Sequence, residues 1–192
     1  ILYYGRTEAC PDSLLTVIER NVVWGTAEPI GCYADCIVRN NIVFESNQAV
    51  RSALYSGHQN PRKIYIHNNT FYDCQSVQLR NWSTDSSCVF ANNALYAITN
   101  GINLMGSGEL YGNVGDVTHA GVSAGDPGAD LVDAAGHDFY PADGSALVGA
   151  SSGAWVAAVD FNGTARDGAP DAGAYERVGA VNPGWPITAG FK

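Results

Sequence analysis

An eight-residue pattern recurs five times along this chain, at residues 17–24, 37–44, 65–72, 89–96 and 109–116. Recurrence at this spacing restricts the chain to folds in which one structural unit stacks on the next. The clearest copies carry paired asparagines, Asn40-Asn41, Asn68-Asn69 and Asn92-Asn93. With the second of each pair as the mark, the series is Asn21, Asn41, Asn69, Asn93 and Asn113, in steps of 20, 28, 24 and 20 residues. A turn of a three-sided β-solenoid consumes about that many residues, with the variable part in loops.

Fixed offsets from the mark assign the core. Ile18, Val38, Ile66, Phe90 and Leu110 stand three before it, and Val23, Val43, Phe71, Leu95 and finally Gly115 stand two after it. Apolar side chains at one offset on successive coils stack into a continuous interior. The marked asparagines are expected to form a corner ladder, since Asn tolerates a left-handed backbone and its amide can bond to the coils above and below. The expected fold is all-β: a right-handed parallel β-helix of about five coils over residues 1–116. A loop-rich capping segment, 117–192, is expected to pack on its end or flank.

Composition agrees with strands and turns. Charged residues are 15% of the chain, and there are 22 glycines and one methionine, a mix poor in helix formers. No run of eighteen apolar residues is present, so no membrane insertion is expected. A net charge of −9 disfavours nucleic acid and anionic lipid as partners. The opening Ile1-Leu2-Tyr3-Tyr4 has neither an initiator Met nor a signal peptide, as in a processed chain or a piece of a longer one.

The five cysteines are expected to form disulfides in an oxidising compartment, because Cys32 and Cys36 lack a matching second pair for zinc. Cys36 and Cys88 lie at one offset but two coils apart, about 9.6 Å by strand spacing, too far for a bond. Cys10 with Cys32, on adjacent coils, and Cys74 with Cys88, flanking one loop, are the candidate pairs. Cys36 is then a buried thiol.

After residue 116 four blocks follow: 126–133 with Asp126-Pro127, 138–147 with Asp138-Phe139, 160–166 with Asp160, Gly163 and Arg166, and Asp171-Ala172-Gly173-Ala174-Tyr175-Glu176. In this order, after Asn-Asn repeats, they resemble the tails of secreted bacterial β-helix proteins of the pectate-lyase-like superfamily. They depart from that pattern at Ala129, Asp130 and Ala146. The resemblance implies the fold and a secreted or cell-surface location. It implies no single activity, because that superfamily holds lyases, hydrolases, adhesins and inert surface proteins. Arg166 and Glu176 are expected to form the buried ion pair that ties the tail down. Asp126, Asp130, Asp133, Asp138 and Asp143 suit turns and caps, or a Ca²⁺ site; no other cofactor or metal is expected.

No catalytic constellation emerges. Glu19 and Glu109, the acids within the first four residues of the aligned segments, sit on different coils, and no nucleophile has a base beside it. Two features suit an acidic polysaccharide. One is a basic patch of Arg51, His58, Arg62, Lys63 and Arg80. The other is the column three after the mark, Trp24, Phe44, Tyr72 and Tyr96, which points outward if the position before it points inward. The same column also suits burial beneath the tail or within a strand covered on both faces. The expected role is therefore a non-catalytic extracellular module that binds glycan or stacks head to tail on itself. The alternative is the C-terminal part of a polysaccharide lyase or glycoside hydrolase.

Overall fold

The computed structural model describes residues 1–3, 14–55, 60–83, 87–185 and 187. The repeat folds as a parallel β-solenoid of about four turns, slightly fewer than the five expected. Three faces build each turn. Face one stacks Thr16–Glu19, Cys36–Arg39, Ile64–His67, Val89–Ala91 and Glu109–Tyr111. Face two stacks Val22–Trp24, the start of Ile42–Ser52, the start of Thr70–Trp82, Ala94–Ile98, Asn113–Gly115 and Val122–Ala124. Face three stacks Leu2–Tyr3, Gly31–Cys32, the later parts of Ile42–Ser52 and Thr70–Trp82, and Ile102–Gly106.

Register follows the sequence offsets. Ile18, Val38, Ile66 and Phe90 are Cα partners in succession on face one, and Val23, Val43, Phe71, Leu95 and Gly115 on face two. Both columns line the interior, and most of their members are fully buried. Gly115 is required where it stands, because a Cβ there would lie 2.0 Å from the Leu95 carbonyl oxygen.

Each corner is a column of left-handed residues. Corner one has Arg20, Asn40, Asn68, Asn92 and Gly112; corner two has Gly25, Glu45, Asp73 and Ala97; corner three has Asp35, Lys63 and Ser87. The residue with positive φ at corner one is thus the one before the marked asparagine, not the marked asparagine itself. One left-handed residue turns the strand, and the next side chain is delivered into the interior.

Corner three also corrects the cysteine pairing. Cys32 and Cys36 are bonded to each other, with Cα atoms 6.3 Å apart. Stacking between coils suggested Cys10 with Cys32. The bend at Asp35 (φ 51°) instead brings together two cysteines of one turn. Cys10 lies outside the described residues, and Cys36 is not a thiol. Cys74 is a buried free thiol not joined to Cys88, and burial pushes its pKa up to about 12.

The solenoid does not end at residue 116. Val122–Ala124 adds to face two beside Asn113–Gly115. Beyond it come a short helix, Pro127–Asp130, and an antiparallel pair, Leu131–Asp133 with Asp138–Pro141. A second apolar core then forms outside the solenoid, where Ile42, Phe44, Ala94, Tyr96 and Val114 of face two meet Leu131, Phe139, Tyr140, Leu147 and Tyr175.

Candidate functional site: the asparagine ladder and its two ends

The five marked asparagines form one column. Nδ2 of Asn21, Asn41, Asn69 and Asn93 donates to Oδ1 of the next asparagine at 2.9, 3.0, 3.0 and 3.0 Å. The same Oδ1 atoms accept the backbone N–H of the preceding asparagine. Each Nδ2 from Asn41 onward also reaches back to a face-one carbonyl of the previous turn, those of Ile18, Val38, Ile66 and Phe90. One side chain thus satisfies the polar groups that a buried corner would otherwise orphan.

The ladder has a direction: acceptors face the N-terminal end and donors face the C-terminal end. At the C-terminal end the last donor, Asn113 Nδ2, lands on the Gly121 carbonyl at 3.1 Å. The 116–125 segment closes that end. Val117 and Val122 pack on the interior, and Gly121 sits so close to the Leu110 carbonyl that a Cβ would lie 2.2 Å from its oxygen. At the N-terminal end, among the described residues, nothing donates to Asn21 Oδ1.

The first asparagine of each pair does different work. Its left-handed backbone aims the side chain outward, onto the tail. Asn40 donates to the Val159 carbonyl at 2.7 Å and accepts from Arg166 Nη2. Asn68 accepts from Ala157 N and donates to the Asp171 carbonyl. Asn92 accepts from Ser152 N and donates to the Trp155 carbonyl. Gly112 continues this column because a Cβ there would meet Asn92 Oδ1 at 2.0 Å.

Arg166 and Glu176 form the expected ion pair at 3.2 Å, with side chains 2% and 3% exposed. Arg166 also donates to the carbonyls of Asp171, Gly173 and Tyr175. The carboxylates beside it are held by backbone amides: Asp160 by Thr164 N and Glu176 N, Asp171 by Gly149 N and Arg177 N, Glu176 by Asp167 N and Asp171 N. Burial lowers the Arg166 pKa against the pull of Glu176, Asp160 and Asp171, and burial raises that of Asp171. These partners are structural, and they give the last two tail blocks their physical meaning as a clasp.

The aromatic column is not an open platform. Phe44 and Tyr96 are fully buried, Trp24 and Tyr72 are half-buried, and all pack into the core under the tail. The tail's Phe139 lies 5.5 Å from the Phe44 ring and 5.2 Å from the Tyr72 ring. Tyr96 is further tied by its hydroxyl, which donates to Asp130 at 2.7 Å. Two members of the basic patch, Arg51 and Arg62, and the nearby Arg39 are held in ion pairs. Arg51 pairs with Glu28, Arg62 with Asp35 and Arg39 with Glu19. Arg80 is exposed, Lys63 is half-buried, and His58 lies outside the described residues. Of the aspartates considered for Ca²⁺, Asp126 caps the short helix, Asp130 accepts from Tyr96, Asp126 N and Ala146 N, and Asp143 pairs with Arg177. Asp133 and Asp138 accept from Gly136 N and Tyr140 N. Among the described residues no group of three or more His, Cys, Asp or Glu is placed to hold a metal ion.

His67 is buried on face one beside Asn68 Oδ1 (3.2 Å), near the Trp155 ring. Desolvation lowers its pKa to about 4, with Arg39 and Arg166 adding to the shift against the bond from Asn68. The Trp155 ring also stacks on Tyr65 at 3.8 Å. Sequence reasoning missed this contact because it lies more than eighty residues away in the chain.

Fold and ladder together define the class: a parallel β-solenoid with a buried asparagine ladder, clasped along one flank by its C-terminal segment. Compared with known proteins, the chain matches no family model and no curated protein sequence.

Proposed function

We propose that this chain is a non-catalytic structural module that terminates a β-solenoid, closing one end and accepting a further turn at the other. The observation that carries this reading is the asymmetry of the ladder: its last donor is satisfied by Gly121, and its first acceptor, Asn21 Oδ1, receives no donor among the described residues. The edges agree. Thr16 N and Arg20 N donate toward the second turn, so by strand alternation the N–H groups of Val17 and Glu19 point the other way, from the edge of face one that no other described strand pairs. An edge of this kind is a template for strand addition. Among the described residues the closed C-terminal end offers no matching ladder donor, because Asn113 Nδ2 is taken by the Gly121 carbonyl, so the complement is a solenoid turn rather than the far end of a second copy. The resemblance of the tail to secreted pectate-lyase-like β-helix proteins supports an extracellular setting.

Hydrogen exchange on the purified chain, with its mass followed by light scattering, tests this. A monomer should exchange quickly at Val17 and Glu19 and slowly at residues 113–115. A monomer whose N-terminal edge is as protected as its interior would overturn the reading.

A further inference from the structure

Building on that reading of the N-terminal end, we infer that its occupant is a strand–corner–strand segment with an asparagine at the corner. Two observations meet here. The first is chemical. At all four junctions between marked asparagines, an Oδ1 receives both the backbone N–H and the Nδ2 of the asparagine one turn toward the N-terminus. Asn21 Oδ1 is the fifth such acceptor, and it needs the same pair of donors. A backbone N–H alone is available from any residue; the second donor, at that depth and angle, is a side-chain amide.

The second observation is topological. Leu2–Tyr3 lies on face three above Gly31–Cys32, with Gly31 N bonded to the Ile1 carbonyl at 2.8 Å and Tyr33 N to the Tyr3 carbonyl at 3.0 Å. This strand is the third face of a turn above the first complete one. In every complete turn the chain reaches face three from faces one and two of the same turn. The two remaining places of that turn lie over Thr16–Glu19 and Val22–Trp24, on which no other described strand pairs from that side. A strand–corner–strand segment placed there stands in register with the first turn, its corner asparagine over Asn21.

The test extends the full chain at Ile1 by a copy of residues 36–49 with Ser replacing its cysteine, because the pairing Leu2–Gly31–Arg51 places Ile1 in the position of Val50. A second version carries leucine in place of the copied Asn41. Exchange at Val17 and Glu19 is the readout, with thermal midpoint as a second. The asparagine insert should slow exchange at the edge by about 100-fold or more and raise the midpoint, and the leucine insert should slow it by less than about 10-fold. Equal protection by both inserts would overturn the requirement for asparagine while leaving the open end intact as a docking edge. Protection by neither would overturn the proposed function itself.

Discussion

At the scale of single residues, the two asparagines of each pair divide the work between interior and exterior. Asn69 takes part in the ladder on both sides and donates two further buried bonds, to the carbonyls of Val38 and His67. Asn69→Leu should therefore cost about 3–5 kcal/mol, since it leaves Asn41 N and the His67 carbonyl without their side-chain partner in the interior and breaks the ladder on both sides. Asn21→Leu, at the open end, should cost less than about 1.5 kcal/mol. Urea denaturation of the two variants gives the comparison, and equal costs would contradict the ladder's direction. His67 sets a pH dependence. Its folded-state pKa of about 4 lies below its ordinary value of 6.5. The unfolded chain therefore binds the proton more readily between those values. Stability from keeping the ring neutral is complete above about pH 6.5 and is lost as pH falls toward 4, by up to roughly 3 kcal/mol. His67→Gln should flatten that limb of the stability–pH curve.

At the scale of elements, the tail is joined to the solenoid by polar contacts at corner one and apolar contacts on face two. Arg166 carries the polar part, and its replacement by Met would strand Glu176, Asp160 and Asp171 in the interior. Arg166→Met should destabilise by about 3–5 kcal/mol and increase binding of an apolar dye as Phe44 and Tyr96 become uncovered. Arg166→Lys should rescue little, because the guanidinium serves carbonyls, Glu176 and Asn40 at once in a geometry that an ammonium does not reproduce. Dye fluorescence and thermal midpoints check both variants.

At the scale of the whole molecule, turns that touch only their neighbours would unfold piecemeal. The tail prevents this by binding Asn40, Asn68 and Asn92 on three successive turns. Truncation after residue 125 should therefore broaden unfolding, so that circular dichroism and tryptophan fluorescence no longer give coincident transitions. It should also promote aggregation through the uncovered face two. Coincident transitions in a soluble truncated chain would show that the turns cohere without the clasp.

The repeat was legible because its information is local and periodic. An apolar residue three before an asparagine and another two after it, repeated on successive coils, have one common solution: strands of one face stacked in register with a corner between them. The ladder followed from the same columns, whereas the Arg166–Glu176 pair was expected from the order of the tail blocks and their resemblance to other β-helix tails. Other features depended on where distant segments come to rest. Column position left open whether Trp24, Phe44, Tyr72 and Tyr96 face water or the tail, because an outward-facing aromatic reads the same in either case. The Cys32–Cys36 bond turns on one left-handed residue, Asp35, whose φ no composition specifies. Repeat position assigned no role to the first asparagine of each pair, whose partners come from residues 151–176. Periodicity along the chain determined the coil, its core and its ladder. Contacts across more than a hundred residues, which only the folded chain brings within hydrogen-bonding distance, decided which faces are covered and which end is open.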